Sequence, residues 1–169
     1  RPRACLDAVR CLPDEPIELV LVDNGSTDGT AAYFRSLAAS DPRVKLVLNP
    51  ENLGFPAGAN RGIRASTGEQ VLLLNNDTVV ATGWLRRMLR ALHAHPATGL
   101  VGPCSNRVSG SQQVPVTYAD DLVGLDGFAW DRAAEHAGVV EATDRLVGFC
   151  LLVERAVFDL SLLHISEPT

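Results

Sequence analysis

Short polar stretches in this chain combine residue types and spacings suited to a phosphorylated ligand. Asn75-Asn76-Asp77 follows directly on the aliphatic run Val71-Leu72-Leu73-Leu74. Asn75-x-Asp77 offers oxygen ligands, one of them charged, of the kind a hard divalent ion such as Mg2+ or Mn2+ prefers. With one carboxylate the protein alone would hold such an ion weakly, and a diphosphate would complete the coordination sphere. Asp23-Asn24-Gly25-Ser26 closes a second aliphatic run. The Asp23 carboxylate accepts hydrogen bonds only, so at a strand end it can take an imide N–H from a pyrimidine base. Gly25 permits a tight turn, and amides at the start of a following helix can attract an anion. Between the two lies "NPENLGFPAGANRGI", residues 49–63. Its Gly54, Gly58 and Gly62 allow close backbone approach, and Asn52 and Asn60 carry both donors and acceptors. The spacing matches neither GxGxxG nor GxxxxGK[ST], so neither a dinucleotide fingerprint nor a P-loop is present. Taken singly, each stretch reads equally as a polar turn or, for Gly58 and Gly62, as helix packing.

Regular elements must position these groups. Residues 17–23, "IELVLVD", are bounded by Pro16 and Asn24-Gly25 and predict a strand buried on both faces. Thr27 or Asp28 can cap a helix over "GTAAYFRSLAAS", with Ala32, Phe34 and Leu37 as its apolar contacts and Asp41-Pro42 as its stop. Further strands are expected at "VKLVL" (44–48), "QVLLL" (70–74) and "GLVGP" (99–103), and further helices at "AGANRGIRAST" and "GWLRRMLRALHAH". The opening "RPRACLDAVRCL" is helical, with Leu6, Val9 and Leu12 on one side. Strands alternating with helices predict an α/β fold: a mainly parallel, Rossmann-like sheet with helices on both faces. In such sheets ligands bind beyond the carboxyl ends of the strands, where the two Asn/Asp clusters fall.

Composition removes several function classes. A chain of 169 residues, 46% hydrophobic and 21% charged, is about one domain's worth and can bury a real core. A net charge of -5 supplies no concentrated basic surface for nucleic acid. Arg86, Arg87 and Arg90 sit at helical spacing and read as a solvated face. Cys5, Cys11, Cys104 and Cys150 fall at no zinc or CxxC spacing and read as free thiols, mostly buried, in a reducing compartment. His93, His95, His136 and His164 are scattered, and Trp84 and Trp130 read first as packing residues. No apolar run approaches the roughly 18 residues of a membrane span, and no signal-peptide layout opens the chain. These features predict a cytoplasmic protein, peripheral at most to the inner face of a membrane.

"VDNGSTDGT", "NLGFPAGANRGI" and "LLLNNDTVV", in this order and at these separations, resemble the nucleotide-binding half of family 2 glycosyltransferases of the GT-A fold, most closely the bacterial rhamnosyltransferase-like members acting on cell-surface polysaccharides. The likeness extends over about residues 15–159, through "GLVGPCSN" and "RLVGFCLLVERAVFD". It implies a partial GT-A domain over residues 1–159, with 15–103 as the nucleotide-sugar half, 104–159 as the start of the acceptor half, and 160–169 as an atypical tail. It also implies roles. Asp23 matches the aspartate that contacts the base, and the Gly54-Phe55 turn matches the loop beside it. Asn60 matches a polar position near the donor, and Asn24, Ser26 and Asn52 fall within the same donor motifs. Asn75-Asn76-Asp77 matches the DxD motif with Asn in place of its first Asp, leaving Asp77 as the ligand of a divalent metal, Mg2+ or Mn2+.

The implied reaction moves a sugar from a UDP- or dTDP-sugar to a hydroxyl of a glycan or lipid-linked acceptor, with inversion and with a carboxylate base. In relatives an acidic pair supplying that base follows the segment matching "LLVERAVFD", whereas this chain runs into "LSLLHISEPT". A first strand before "RPRAC" is also expected. The likeness therefore implies truncation at both ends and a tendency to pair with a second copy through open strand edges. Asp120, Asp121, Glu141 and Asp144 are weak replacement bases, because "TYADDLVGLDGFAW" and "RAAEHAG" read as an acceptor-side loop and a surface helix. A nucleotide-sugar-binding module without chemistry is the alternative. A DxDxT phosphatase is excluded because its nucleophile position is Asn75.

Overall fold

The structure, a computed structural model, describes residues 2–10, 16–119 and 121–161. Cys11, Leu12, Asp120, His164 and the end of the expected tail, 162–169, lie outside the described residues. In chain order the elements are α1 (Pro2–Arg10), β1 (Leu19–Asn24), α2 (Thr30–Ser40), β2 (Val44–Asn49), α3 (Gly54–Ala65), β3 (Gln70–Leu74), α4 (Trp84–His93), β4 (Leu100–Val101), α5 (Leu125–Glu135), β5 (Cys150–Glu154) and α6 (Arg155–Ser161). A single 3-10 turn occupies Gly110–Gln112. The chain divides into two compact units, one of residues 14–71 and 154–169, the other of residues 1–13 and 72–153.

The first unit is built on β1 and β2, which pair in parallel from Leu19 opposite Val44 to Asn24 opposite Asn49. Both strands thus end side by side in an asparagine. Helix α2 buries Phe34 and Leu37, while Ala32, expected to pack, is exposed. Its start lies at Gly29 (φ 89°), and Asp28 accepts the Thr30 amide through Oδ1 at 3.1 Å rather than capping from within the helix. Helix α3 begins at Gly54, three residues before the expected Ala57. Pro56 does not delay it, since the first turn of a helix has no use for the missing N–H. Gly62 packs directly on β1: a Cβ there would stand 2.9 Å from Val22 Cγ2. The far end of the unit is tied by Arg155, whose backbone N–H donates to Glu69 O (2.9 Å) and whose guanidinium donates to Gly68 O (2.6 Å) and Ser66 Oγ (2.8 Å).

In the second unit β5 lies between β3 and β4, and β4 runs antiparallel to it, with Leu100 opposite Val153 and Val101 opposite Leu152. The expected parallel pairing is present in β1 and β2; β4 and β5 add an antiparallel pair, since β5 arrives from a long return segment that can present its strand in either direction. The core centres on Leu92, Cys150 and Leu152, all within 1% of full burial. Helix α4 contributes Trp84, Leu85, Met88 and Leu92 at helical spacing, and α1 contributes Cys5, Leu6 and Val9. Buried Gln112 acts as a clasp, donating to Pro103 O (2.8 Å) and accepting from Val147 N (2.6 Å). The segment expected to be a loop up to Trp130 turns helical at Leu125, after Gly124 at φ 89°.

Candidate functional site

The carboxyl end of β1 carries a cleft of about 350 Å³ lined by Asp23, Gly25, Ser26, Arg35, Asn49 and Pro50, among others. Asp23 is only 4% exposed. Its Oδ2 accepts the Ser26 amide at 3.3 Å, whereas its buried Oδ1 has no hydrogen-bond partner among the described residues. An unpaired buried acceptor costs roughly 1–3 kcal/mol, more when charged, so this oxygen is suited to a donor brought in by a ligand.

Asn24, expected beside Asp23 as a ligand contact, instead holds the walls together. Its Oδ1 accepts from Asn49 Nδ2 (2.9 Å) and Leu53 N (3.2 Å), and its Nδ2 donates to Asn52 Oδ1 (2.9 Å) and Gly54 O (3.0 Å). All four hydrogen-bonding positions of the amide are thereby used. Asn52 Oδ1 also accepts the Gly54 amide at 2.9 Å, which starts α3, and Arg61 donates to Asn49 Oδ1 at 2.7 Å. Gly25 is required by the same packing. Its φ is 77°, and a Cβ would stand 2.6 Å from the Glu51 carbonyl carbon and 2.8 Å from the Asn52 nitrogen. Phe55, in the first turn of α3, is 59% exposed. Asn60, further along α3, is half-buried, and its side chain has no hydrogen bond among the described residues.

Asn75, Asn76 and Asp77 belong to the second unit. They form a turn closed by Thr78 N donating to Asn75 O at 3.2 Å, and Asn75 N donates to Phe149 O at 2.8 Å. Beneath the turn, Cys5 Sγ of α1 lies 3.6 Å from Asn75 O. Burial and then the Asp77 charge push the Cys5 thiol above its ordinary pKa. Asn76 and Asp77 are exposed, and among the described residues neither side chain makes a hydrogen bond. A hydrogen-bonded turn presenting one carboxylate that makes no hydrogen bond among the described residues fits a metal that takes its remaining ligands from a diphosphate. Among the described residues no group of three or more His, Cys, Asp or Glu could hold a metal ion unaided.

Elsewhere the expected candidates disperse. Asp121, Glu141 and Asp144 are exposed, and Asp121 accepts the Val123 amide at 3.0 Å. Trp84 is buried, as expected of a packing residue, but Trp130 is 69% exposed with the Arg87 guanidinium 5.9 Å from its ring centre. Arg86 and Arg90 are exposed, while Arg87 is half-buried and donates to Thr82 O at 2.9 Å. Cys5, Cys104 and Cys150 are free thiols, and Cys104 is exposed. Burial, with Cys5 nearby, pushes Cys150 up to about 12, so it remains a thiol at neutral pH. Sequence reasoning missed Arg35 and Asn49. Their available signals were the i, i+4 spacing of Ala31 and Arg35 on the face of α2 away from Phe34, and the shared terminal Asn of β1 and β2.

Comparison with known proteins adds a family. The glycosyl transferase family 2 model matches residues 3–127. An uncharacterized protein of Sinorhizobium fredii, y4gI, is 32% identical over 154 residues, covering 84% of this chain and 16% of its own length. The N-acetylglucosaminyl-diphospho-decaprenol L-rhamnosyltransferase of Mycobacterium tuberculosis is 29% identical over 170 residues, covering 86% of this chain and 54% of its own. The chain thus spans about half the length, or less, of these relatives. Among solved structures, the mannosyltransferase PcManGT of Pyrobaculum calidifontis, in complex with GDP-Man and Mn2+, superposes with a TM-score of 0.66 at 26% identity, covering 94% of this chain and 42% of that one.

Proposed function

Because the chain belongs to glycosyl transferase family 2 and shares the GT-A fold, we propose that it serves the transfer of a sugar from a nucleotide diphosphate sugar, a UDP- or dTDP-sugar, to an acceptor hydroxyl with inversion at the anomeric carbon. The observation that carries this reading is the unpaired, buried Oδ1 of Asp23 in the cleft at the end of β1. In the proposed role Asp23 accepts an N–H of the base, and the Asn24 network holds the loop that bears Asn52, Gly54 and Phe55. Ser26 and Asn60 supply polar groups to the donor, as do Asn75 and Asn76.

Asp77 is the residue proposed to hold a divalent ion, Mg2+ or Mn2+, and the solved relative with Mn2+ supports the assignment. When bound, such an ion neutralises the charge that develops on the leaving diphosphate. A carboxylate base would take the acceptor proton; none of the described carboxylates is assigned to it. The relative named for action on a decaprenol-linked sugar supports a glycan or lipid-linked acceptor and a role in cell-surface polysaccharide synthesis at the inner face of the membrane. Among the described residues, no helix is long and apolar enough to cross that membrane.

The test is calorimetric titration of UDP and dTDP into the full chain, with and without Mn2+, beside an Asp77→Ala variant. Metal-dependent binding that weakens by about tenfold or more in the variant is the expected result, equivalent to ~1.4 kcal/mol. Binding indifferent to both metal and Asp77 would remove the metal assignment.

A further inference from the structure

The cleft at the end of β1 holds a second charged group that no motif singles out. Arg35, one helical turn beyond Ala31 on α2, lines the same cleft as Asp23. It is exposed, and it makes no hydrogen bond or ion pair among the described residues. Two opposite charges therefore line one cleft without engaging each other. The guanidinium is a donor-only group that stays charged at any physiological pH. The Asp23 carboxylate is asymmetric: Oδ2 already receives the Ser26 amide, and Oδ1 has no donor among the described residues.

We propose that Arg35 is a base-specificity determinant, selecting a pyrimidine-2,4-dione nucleotide, uracil or thymine, over guanine. The proposal rests on the reading of this cleft as part of the donor site. Uracil and thymine present one imide N–H between two carbonyl oxygens. A single unpaired acceptor matches that N–H, and a donor-only side chain in the same cleft matches a flanking carbonyl. Guanine presents two adjacent donors, N1–H and N2–H, which call for both carboxylate oxygens. Here one of those oxygens is engaged by the turn that Gly25 closes. Cytosine offers a ring acceptor where uracil has its N–H, and a carboxylate opposes it.

Arg35 acts here as a substrate contact rather than a fold element, since its side chain is exposed and α2 is held by Phe34 and Leu37 on another face. Arg35→Met keeps most of the side-chain stem and removes the donors. Titrations of UDP, dTDP and GDP into the full chain and into this variant, with Mn2+ present and folding checked by circular dichroism, decide the matter. UDP or dTDP is expected to bind at least about tenfold more tightly than GDP. Arg35→Met is expected to weaken UDP and dTDP by about tenfold, ~1.4 kcal/mol, while leaving GDP unchanged. GDP binding as tightly as UDP in the unaltered chain would overturn the proposal yet keep the donor site. Equal weakening of all three nucleotides by Arg35→Met would also overturn it, reassigning Arg35 to the phosphates they share. Failure of the folded chain to bind any of them would overturn the donor-site reading itself, and the proposal with it.

Discussion

At the scale of single residues, Asp23 and Asn24 are neighbours with opposite tasks. Asn24 has every hydrogen-bonding position filled by the protein, whereas Asp23 keeps one oxygen buried and unpaired. Residue types in the sequence mark both as polar groups at a strand end, but they cannot say which is saturated. That depends on Asn49, Asn52 and Gly54, which reach Asn24 from 25 to 30 positions away. Arg35 was illegible for a related reason: an arginine on a helix is ordinarily solvated, and only the folding of α2 over the end of β1 gives it a cleft. The unpaired oxygen yields a prediction. Asp23→Asn keeps the volume and removes the charge, and its oxygen can still accept from Ser26 while its amide opposes the incoming N–H. Thermal stability should be unchanged or raised, because a neutral group is cheaper to bury. Nucleotide affinity should fall by roughly 10- to 100-fold, the worth of a hydrogen bond to a charged group, about 1.5–3 kcal/mol. A large drop in melting temperature with affinity intact would instead make Asp23 a turn residue.

At the scale of elements, α3 shows what the pattern of glycines can and cannot tell. The sequence places Gly58 and Gly62 in one helical segment and suggests close packing for both, but their spacing does not distinguish them. In the folded chain Gly62 meets Val22, with a Cβ clash at 2.9 Å, and Gly58 leaves 3.5 Å to the Asn24 amide. Val22 is branched at Cβ and cannot swing aside easily. Gly62→Ala should therefore destabilise the protein, overpacking of about 1–3 kcal/mol exceeding a helix-propensity gain of up to ~1 kcal/mol. Gly58→Ala collects the same propensity gain without a clash and should be neutral or stabilising. Chemical denaturation of the two variants checks the order, and equal effects would mean that α3 does not lean on β1 through Gly62. The start of α5 was unreadable for a different reason. Asp126 in its first turn accepts from Thr82 N (2.7 Å) and Thr82 Oγ1 (3.1 Å), a fastening 44 positions back that local propensity does not contain.

At the scale of the whole molecule, the alternation of strands and helices was enough to give the α/β class, and the order of the donor motifs was enough to give the family. Strand direction was not contained in it. Parallel β1 and β2 follow from the single helix between them, while the antiparallel β4–β5 pair depends on a return segment without strong periodicity. Long-range fastenings of this kind also govern how the fold responds to acid. Glu18, just before β1, pairs with Lys45 of β2 and accepts from Thr67 N (2.9 Å) and Thr67 Oγ1 (3.2 Å) beyond α3. The bond from Lys45 is the main cause that holds the Glu18 carboxyl below its ordinary range; burial opposes it, and the bonds from Thr67 add to it. A carboxyl whose folded pKa is lowered adds stability above its unfolded pKa, about 4.3, and that addition is lost as pH falls through the folded value. Because the pair is partly exposed, its contribution is small, about 0.2–1 kcal/mol, and salt weakens it. Glu18→Gln should therefore lower the urea midpoint slightly at neutral pH. The gap to the unaltered chain should close as the pH is taken from the unfolded pKa, about 4.3, down through the lowered folded value, below which both side chains are neutral. A gap that persists undiminished in acid would show that Glu18 acts through its neutral contacts with Thr67 and not through the charge shared with Lys45.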